Sequence, residues 1–136
     1  MPILRWQNIP EEVYFEGPPP EGFHLAISPS APYVVLDIDR NENKNGFKYI
    51  PEDILEELST TFYYNTQSGG RHYWLKYTGN KELRNRATLL GIDLRCNSKG
   101  YVKWHCKEYK DIRECLHLVK ETSLELNKFI ETLFYD

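Results

Sequence analysis

Asp37 and Asp39 stand two apart at the end of the run Tyr33-Val34-Val35-Leu36-Asp37-Ile38-Asp39. Alternate residues of a strand share a face, so both carboxylates project the same way, and near the strand's end they can converge on a cation. Carboxylates so placed repel each other, which favours a hard divalent ion between them. Asp93 closes a second apolar approach, Leu89-Leu90-Gly91-Ile92, and supplies a third carboxylate if its strand lies beside the first. Two metals bridged by three carboxylates is one arrangement for nucleotidyl transfer: one ion activates the attacking hydroxyl and the other neutralises the leaving pyrophosphate. A D-x-D pair also occurs where a strand simply runs out into a polar loop, and an aspartate can merely start a hairpin. The acids alone leave both readings open.

The stretch Ser68-Gly69-Gly70-Arg71-His72 is more informative. Two glycines at a strand-entering turn let the backbone approach a bulky anion closely. His72, Trp74 and Lys76 then alternate onto one face, and an imidazole and an ammonium there suit a triphosphate. Gly-Gly is equally a common hairpin turn, and a strand histidine is commonly structural. Arg95 shares Asp93's face, as its ion-pair partner or as a phosphate ligand. Cys96, His105, Cys106, Cys115 and His117 lack the short Cys-x2-4-Cys knuckle of a zinc site, which favours buried thiols over zinc. Ten tyrosines and three tryptophans could stack bases, or fill a core with wet hydroxyls.

Positioning these groups takes a definite set of elements. Tyr33 to Asp39 reads as a central strand, and Pro51 to Leu58 as a short helix with Pro51 in its first turn and Glu52 and Asp53 at its positive end. Thr61 to Thr66 and Arg71 to Tyr77 flank the diglycine turn as a hairpin. Lys81 to Leu90 holds a short helix of uncertain limits, and Gly91 to Cys96 with Tyr101 to Cys106 forms a second hairpin. From Lys110 to Phe134, Ile112, Leu116, Val119, Leu126, Ile130 and Leu133 recur at helical spacings, predicting one amphipathic helix over 110–134 that covers a sheet face. The order predicts an α/β or α+β sheet with helices packed on it.

The chain has 136 residues, enough for one domain, and no apolar run approaches a membrane span. Residues 1–22, ending in Gly17-Pro18-Pro19-Pro20-Glu21-Gly22, read as a leader and linker, and 23–136 as the single domain. Met1 to Pro10 lacks a secretion signal's apolar core, and three cysteines without a CxxC pair suit a reducing compartment, so a cytoplasmic location is expected. The formal charge of -3 conceals an asymmetry. Residues 1–60 carry four basic and eleven acidic side chains, whereas residues 68–110 carry ten basic and three acidic. An acidic half for cations beside a basic half for phosphates suits phosphoryl chemistry, and salt-bridged surface faces would give the same count.

Taken in order, V-V-L-D-I-D (Val34 to Asp39), T-Q-S-G-G-R-H (Thr66 to His72) and G-I-D-L-R-C-N-S-K-G-Y-V (Gly91 to Val102) resemble the three motifs of the primase-polymerase (prim-pol) domain. This domain of the archaeo-eukaryotic primase superfamily is common in phage and plasmid replication proteins. The resemblance runs from about Phe23 to Trp104. It implies an archaeo-eukaryotic primase-type core, an RRM-like sheet with an added α/β module and the active site in the cleft between them. By position, Asp37, Asp39 and Asp93 match the carboxylates that hold two Mg or Mn ions. His72 matches the histidine on the incoming nucleotide's phosphates, presented by Ser68, Gly69 and Gly70. The implied activity is template-directed synthesis of a primer or DNA strand, with nucleoside triphosphates and single-stranded or primer-template DNA as partners. About 35 residues precede the first motif, fewer than is usual for the family, and K-W-H-C after Val102 replaces its proline-rich continuation. The chain then either works with a separately encoded helicase or primase helical-domain protein, or binds nucleotide or DNA without efficient synthesis. A metal-dependent nuclease is a third reading, since two-metal sites also cleave phosphodiesters; the diglycine-histidine turn favours synthesis.

Overall fold

The computed structural model describes residues 25–97 and 100–135. The leader and proline-rich linker, Ser98 and Lys99 lie outside the described residues. The central strand forms as its sequence demands: β2 spans Tyr33–Ile38, with Val34, Val35, Leu36 and Ile38 all buried. The helix α1 follows at Glu52–Leu58, opened by Pro51 and carrying Glu52 and Asp53 in its first turn. The diglycine hairpin is present as β3, Tyr63–Asn65, and β4, Arg71–Lys76, paired antiparallel. β5 spans Ile92–Arg95. The principal sheet runs β3-β4-β2-β5, antiparallel throughout that path, so the two longest strands are interior. Its fifth strand, β7 at Lys120–Glu121, runs parallel to β4. A separate pair joins β1, Ala26–Ile27, to β6, Val102–Lys103.

Strand alternation sorts the side chains onto two faces. Val34, Leu36 and Ile38 of β2, Tyr73 and Leu75 of β4, and Ile92 and Leu94 of β5 pack against Ile54 and Leu58 of α1. The same cluster takes in Leu126, Ile130 and Phe134 of α2, which spans Leu124–Tyr135. Val35, Trp74 and Tyr64 belong to the opposite face, packed with Phe62, Val102 and Cys115 beneath the 104–119 segment. The helices therefore lie entirely behind the face on which the acidic residues stand. Among the described residues no helix is long and apolar enough to cross a membrane.

Three expectations are corrected. The tail is not one helix over 110–134: residues 112–114 and 116–118 form short 3-10 turns, 120–121 is strand β7, and only 124–135 is α-helical. Ile112 and Val119 pack on the site face and Leu126 and Ile130 on the other, so one apparent stripe serves both sides of the sheet. The helix begins where Ser123 caps it, its Oγ accepting the Leu126 amide at 3.1 Å while both Glu57 oxygens hold Ser123 itself. Residues 81–90 form no helix; Arg86 instead bridges Leu94 as an irregular extension of the sheet. The second hairpin also fails, because β5 pairs with β2 and β6 pairs with β1. An apolar strand gains more from a place beside the central strand than from its sequence neighbour, and β6 crosses to the outer pair.

Candidate active site

Register brings the chemistry together. On β2, Asp37 lies directly opposite His72 of β4 on one side and Asp93 of β5 on the other. His72 in turn lies opposite Tyr64 of β3. Four adjacent strands thus present Tyr64, His72, Asp37 and Asp93 as one row on the face away from the helices. Directly opposed Cβ atoms are about 5 Å apart, so these groups are first neighbours. His72 is buried, and its Nε2 stands 3.3 Å from Asp37 Oδ1. Asp93 Oδ2 accepts from Arg95 Nη2 at 3.1 Å and its Oδ1 from the Thr88 amide at 3.2 Å.

Asp39 sits just past the end of β2, where the backbone is clamped from two sides. Its amide donates to Gly91 O and its carbonyl accepts from the Gly46 amide, both at 2.8 Å. A Cβ on Gly46 would stand 2.3 Å from Gly91 O, so only glycine lets the two loops cross here. Gly91 itself has φ +85, a conformation other residues rarely adopt. This crossing holds Asp39 beside the start of β5. Burial first, then the charges of Asp37 and Asp93, hold Asp39 above the ordinary carboxylate range. Burial likewise raises Asp93, opposed by the Thr88 hydrogen bond and Arg95 and reinforced by Asp37. Asp39 thus feels both Asp37 and Asp93, and Asp93 feels Asp37. Among the described residues, however, no three His, Cys, Asp or Glu side chains are set as a ready ligand group for a metal ion.

The diglycine turn lies beside this row. Thr66 O accepts the Gly69 amide at 3.2 Å, and Gly70 O accepts the Thr66 amide at 3.0 Å. Gly69 takes φ +93 with open space around it, whereas a Cβ on Gly70 would meet Ile38 O at 2.3 Å. Gly70 is thus required by the close approach of β4 to the end of β2, and Ser68 and Gly69 are exposed. Lys76 falls on the same face as His72 but four residues along β4, about 13 Å away. Cys96 belongs to the helix-side core and Cys115 to the site-side core, so the sheet separates two of the candidate zinc ligands.

The family model for bifunctional DNA primase/polymerase, N-terminal (Prim-Pol), matches residues 3–110. The chain belongs to the Prim-Pol family. At the level of the family this is a primase/polymerase-like nucleotidyltransferase. No curated protein matches the sequence. The mixed sheet with helices behind it agrees with the Prim-Pol fold. Counted alone in chain order, β2, β3, β4 and β5 lie side by side as fourth, first, third and second, with α1 between the first and second.

Several further residues of the candidate site were not apparent from the sequence. Tyr64 shares a hydrogen bond with His72 Nδ1 at 3.1 Å. His105, weighed only as a zinc ligand, stacks edge-to-face with His72 at 5.7 Å between centroids. Lys44 lies close enough to Asp39 and Asp93 to draw both carboxylates down. A groove of about 700 Å³ opens between residues 63–67 and 103–108, with Trp104, Lys103 and Lys107 in its wall. The hairpin register would have revealed Tyr64, since a turn that sets Asn65 opposite Arg71 must set Tyr64 opposite His72. Nothing in the local sequence signals Lys44 or His105, which arrive through loop crossings.

Proposed function

We propose that the chain adds nucleotides from nucleoside triphosphates to a primer or template-bound DNA strand by a metal-dependent transfer. The observation that carries this reading is the placement of Asp37 between His72 and Asp93 on neighbouring strands, with Asp39 at the same strand's end. Asp37, Asp39 and Asp93 would hold Mg or Mn. The donor set fits a hard divalent ion, being all oxygen and burdened with mutual repulsion that a cation relieves. Such ions would supply the charge that activates an attacking hydroxyl and neutralises a leaving pyrophosphate.

The remaining residues divide the work by position. His72 and the Ser68-Gly69-Gly70 turn offer donors to the phosphates. Arg95 is engaged with Asp93 at 3.1 Å, and its guanidinium would be free for a phosphate oxygen if Asp93 held an ion instead. Lys76, farther along the sheet, suits the polynucleotide strand better than the triphosphate. The groove beside Tyr64 and Trp104, carrying Lys103 and Lys107, suits a single strand. A separately encoded helicase or primase helical-domain protein would complete the replication function.

A second reading, binding of nucleotide or nucleic acid without catalysis, draws on the same contacts: Asp37 and Asp93 are already satisfied by His72 and Arg95. Calorimetric titration of a nucleoside triphosphate with and without Mn, on the parent chain and on Asp37→Asn, separates the two. The transfer reading expects binding that needs the metal and collapses in the variant. Metal-independent binding, unchanged in Asp37→Asn, supports the second reading instead.

A further inference from the structure

A histidine that meets an anion must present a proton at a defined nitrogen, yet the neutral ring carries one proton that can sit on either. Here both nitrogens of His72 face named partners. Nε2 stands 3.3 Å from Asp37 Oδ1, and an ionised carboxylate only accepts, so this nitrogen is the donor. Nδ1 stands 3.1 Å from the Tyr64 hydroxyl. That hydroxyl is itself pinned, because the Trp74 indole Nε1–H, which can only donate, reaches its oxygen at 3.3 Å. The phenol's single proton therefore goes either to Nδ1 or to Lys103 O, and the latter lies at the limit of 3.5 Å. The shorter path leads to His72.

We propose that Tyr64 is a positioning residue that fixes His72 as the Nε2–H tautomer, its hydroxyl donating to Nδ1 while Trp74 holds the phenol oxygen. The arrangement is preorganised by the fold. Tyr64 is the middle residue of β3 and lies opposite His72, and Trp74 follows on the same face of β4. The Tyr64 ring is locked edge-to-face by Phe62, His72 and Trp104. A phenol is protonated at neutral pH and can donate, and burial raises this one further. Tyr64→Phe keeps the ring contacts and removes only the hydroxyl, the acceptor of the Trp74 indole N–H. Its consequence for nucleotide binding rests on the transfer reading above; the tautomer itself does not.

The test is long-range nitrogen–proton NMR of the His72 ring in the full chain, on the parent, Tyr64→Phe and Tyr73→Phe. Tyr73 loses an equivalent hydroxyl from the opposite face, where it meets Arg71. The expected parent spectrum shows a bare Nδ1 and a protonated Nε2, retained in Tyr73→Phe and averaged between tautomers in Tyr64→Phe. In the same Tyr64→Phe protein, Mn-dependent triphosphate affinity should fall about fivefold, the worth of one hydrogen bond. A proton on Nδ1 in the parent overturns the proposal, and needs no variant to fold. So does a Tyr64→Phe ring spectrum identical to the parent's. If the lock is lost in Tyr64→Phe but the parent binds no triphosphate, the positioning stands and the transfer reading falls.

Discussion

At the residue scale the site combines groups that would be more stable apart. Burial raises both Asp39 and Asp93 above ordinary carboxylates, reinforced at Asp39 by the charges of Asp37 and Asp93 and opposed at Asp93 by the Thr88 hydrogen bond and Arg95. The folded protein therefore holds protons there more tightly than the unfolded chain, and its stability declines as pH rises from the ordinary carboxylate range through the raised values. In chelator at neutral pH, Asp39→Asn should raise the melting temperature, and the advantage should shrink as the pH is lowered and the parent carboxyl protonates. Added Mn should stabilise the parent and not the variant. A melting series with and without the ion reads both effects, and an Asp39→Asn protein less stable than the parent in chelator contradicts them. Asp37 in β2 and Asp39 just past its end were legible as a pair because strand alternation is the simplest rule in the chain. The third was legible only through motif order, since no local pattern says that residue 93 lies beside residue 37. Tyr64, Lys44 and His105 were not legible, because their relevance is a matter of register and loop path.

At the element scale two devices hold the candidate site's face in place. The crossing of Gly46 over Gly91 ties the loop after β2 to the start of β5. Gly46→Ala drives a methyl into a carbonyl, and should cost about 2 kcal/mol in urea unfolding while shifting Asp39 and depressing metal binding. A variant as stable as the parent would show that the loops need not touch. The second device is behind the sheet, where Ile130 of α2 is fully buried against it. Ile130→Ala should cost about 3 kcal/mol and leave Mn affinity unchanged, a contrast that urea titration and calorimetry of one sample resolve. The tail helix was half legible. Leu126, Ile130 and Leu133 mark it correctly, but Ile112, Leu116 and Val119 continue the same spacing through turns and a strand. Periodicity reports which residues are apolar at regular intervals, and it does not report that Ser123 and Glu57 start the helix anew. The failed second hairpin has a similar cause: two strands adjacent in sequence each had a better partner elsewhere.

At the scale of the whole molecule, the sheet carries the helices on one face and the row of candidate residues on the other. Both α-helices pack their apolar faces behind it, and Asp37, Asp93, His72 and Arg95 stand in front. The asymmetry of charge along the chain was readable in the sequence, and it has a spatial counterpart in Lys103 and Lys107 on the groove wall beside the row. Replacing both lysines by alanine should weaken single-stranded DNA binding and flatten its salt dependence by about 1.4 in log–log slope, near 0.7 for each phosphate no longer neutralised. Fluorescence anisotropy across a salt series checks this, and an unchanged slope places the strand elsewhere.

The central claim, that the row across the sheet is a metal-dependent nucleotide site, is tested most directly by anomalous diffraction from crystals grown with manganese and a non-hydrolysable nucleoside triphosphate. The account predicts manganese peaks bound by oxygens of Asp37, Asp39 and Asp93, with Arg95 turned from Asp93 to phosphate. Manganese found elsewhere, with Asp37 still on His72 and Asp93 still on Arg95, would contradict it.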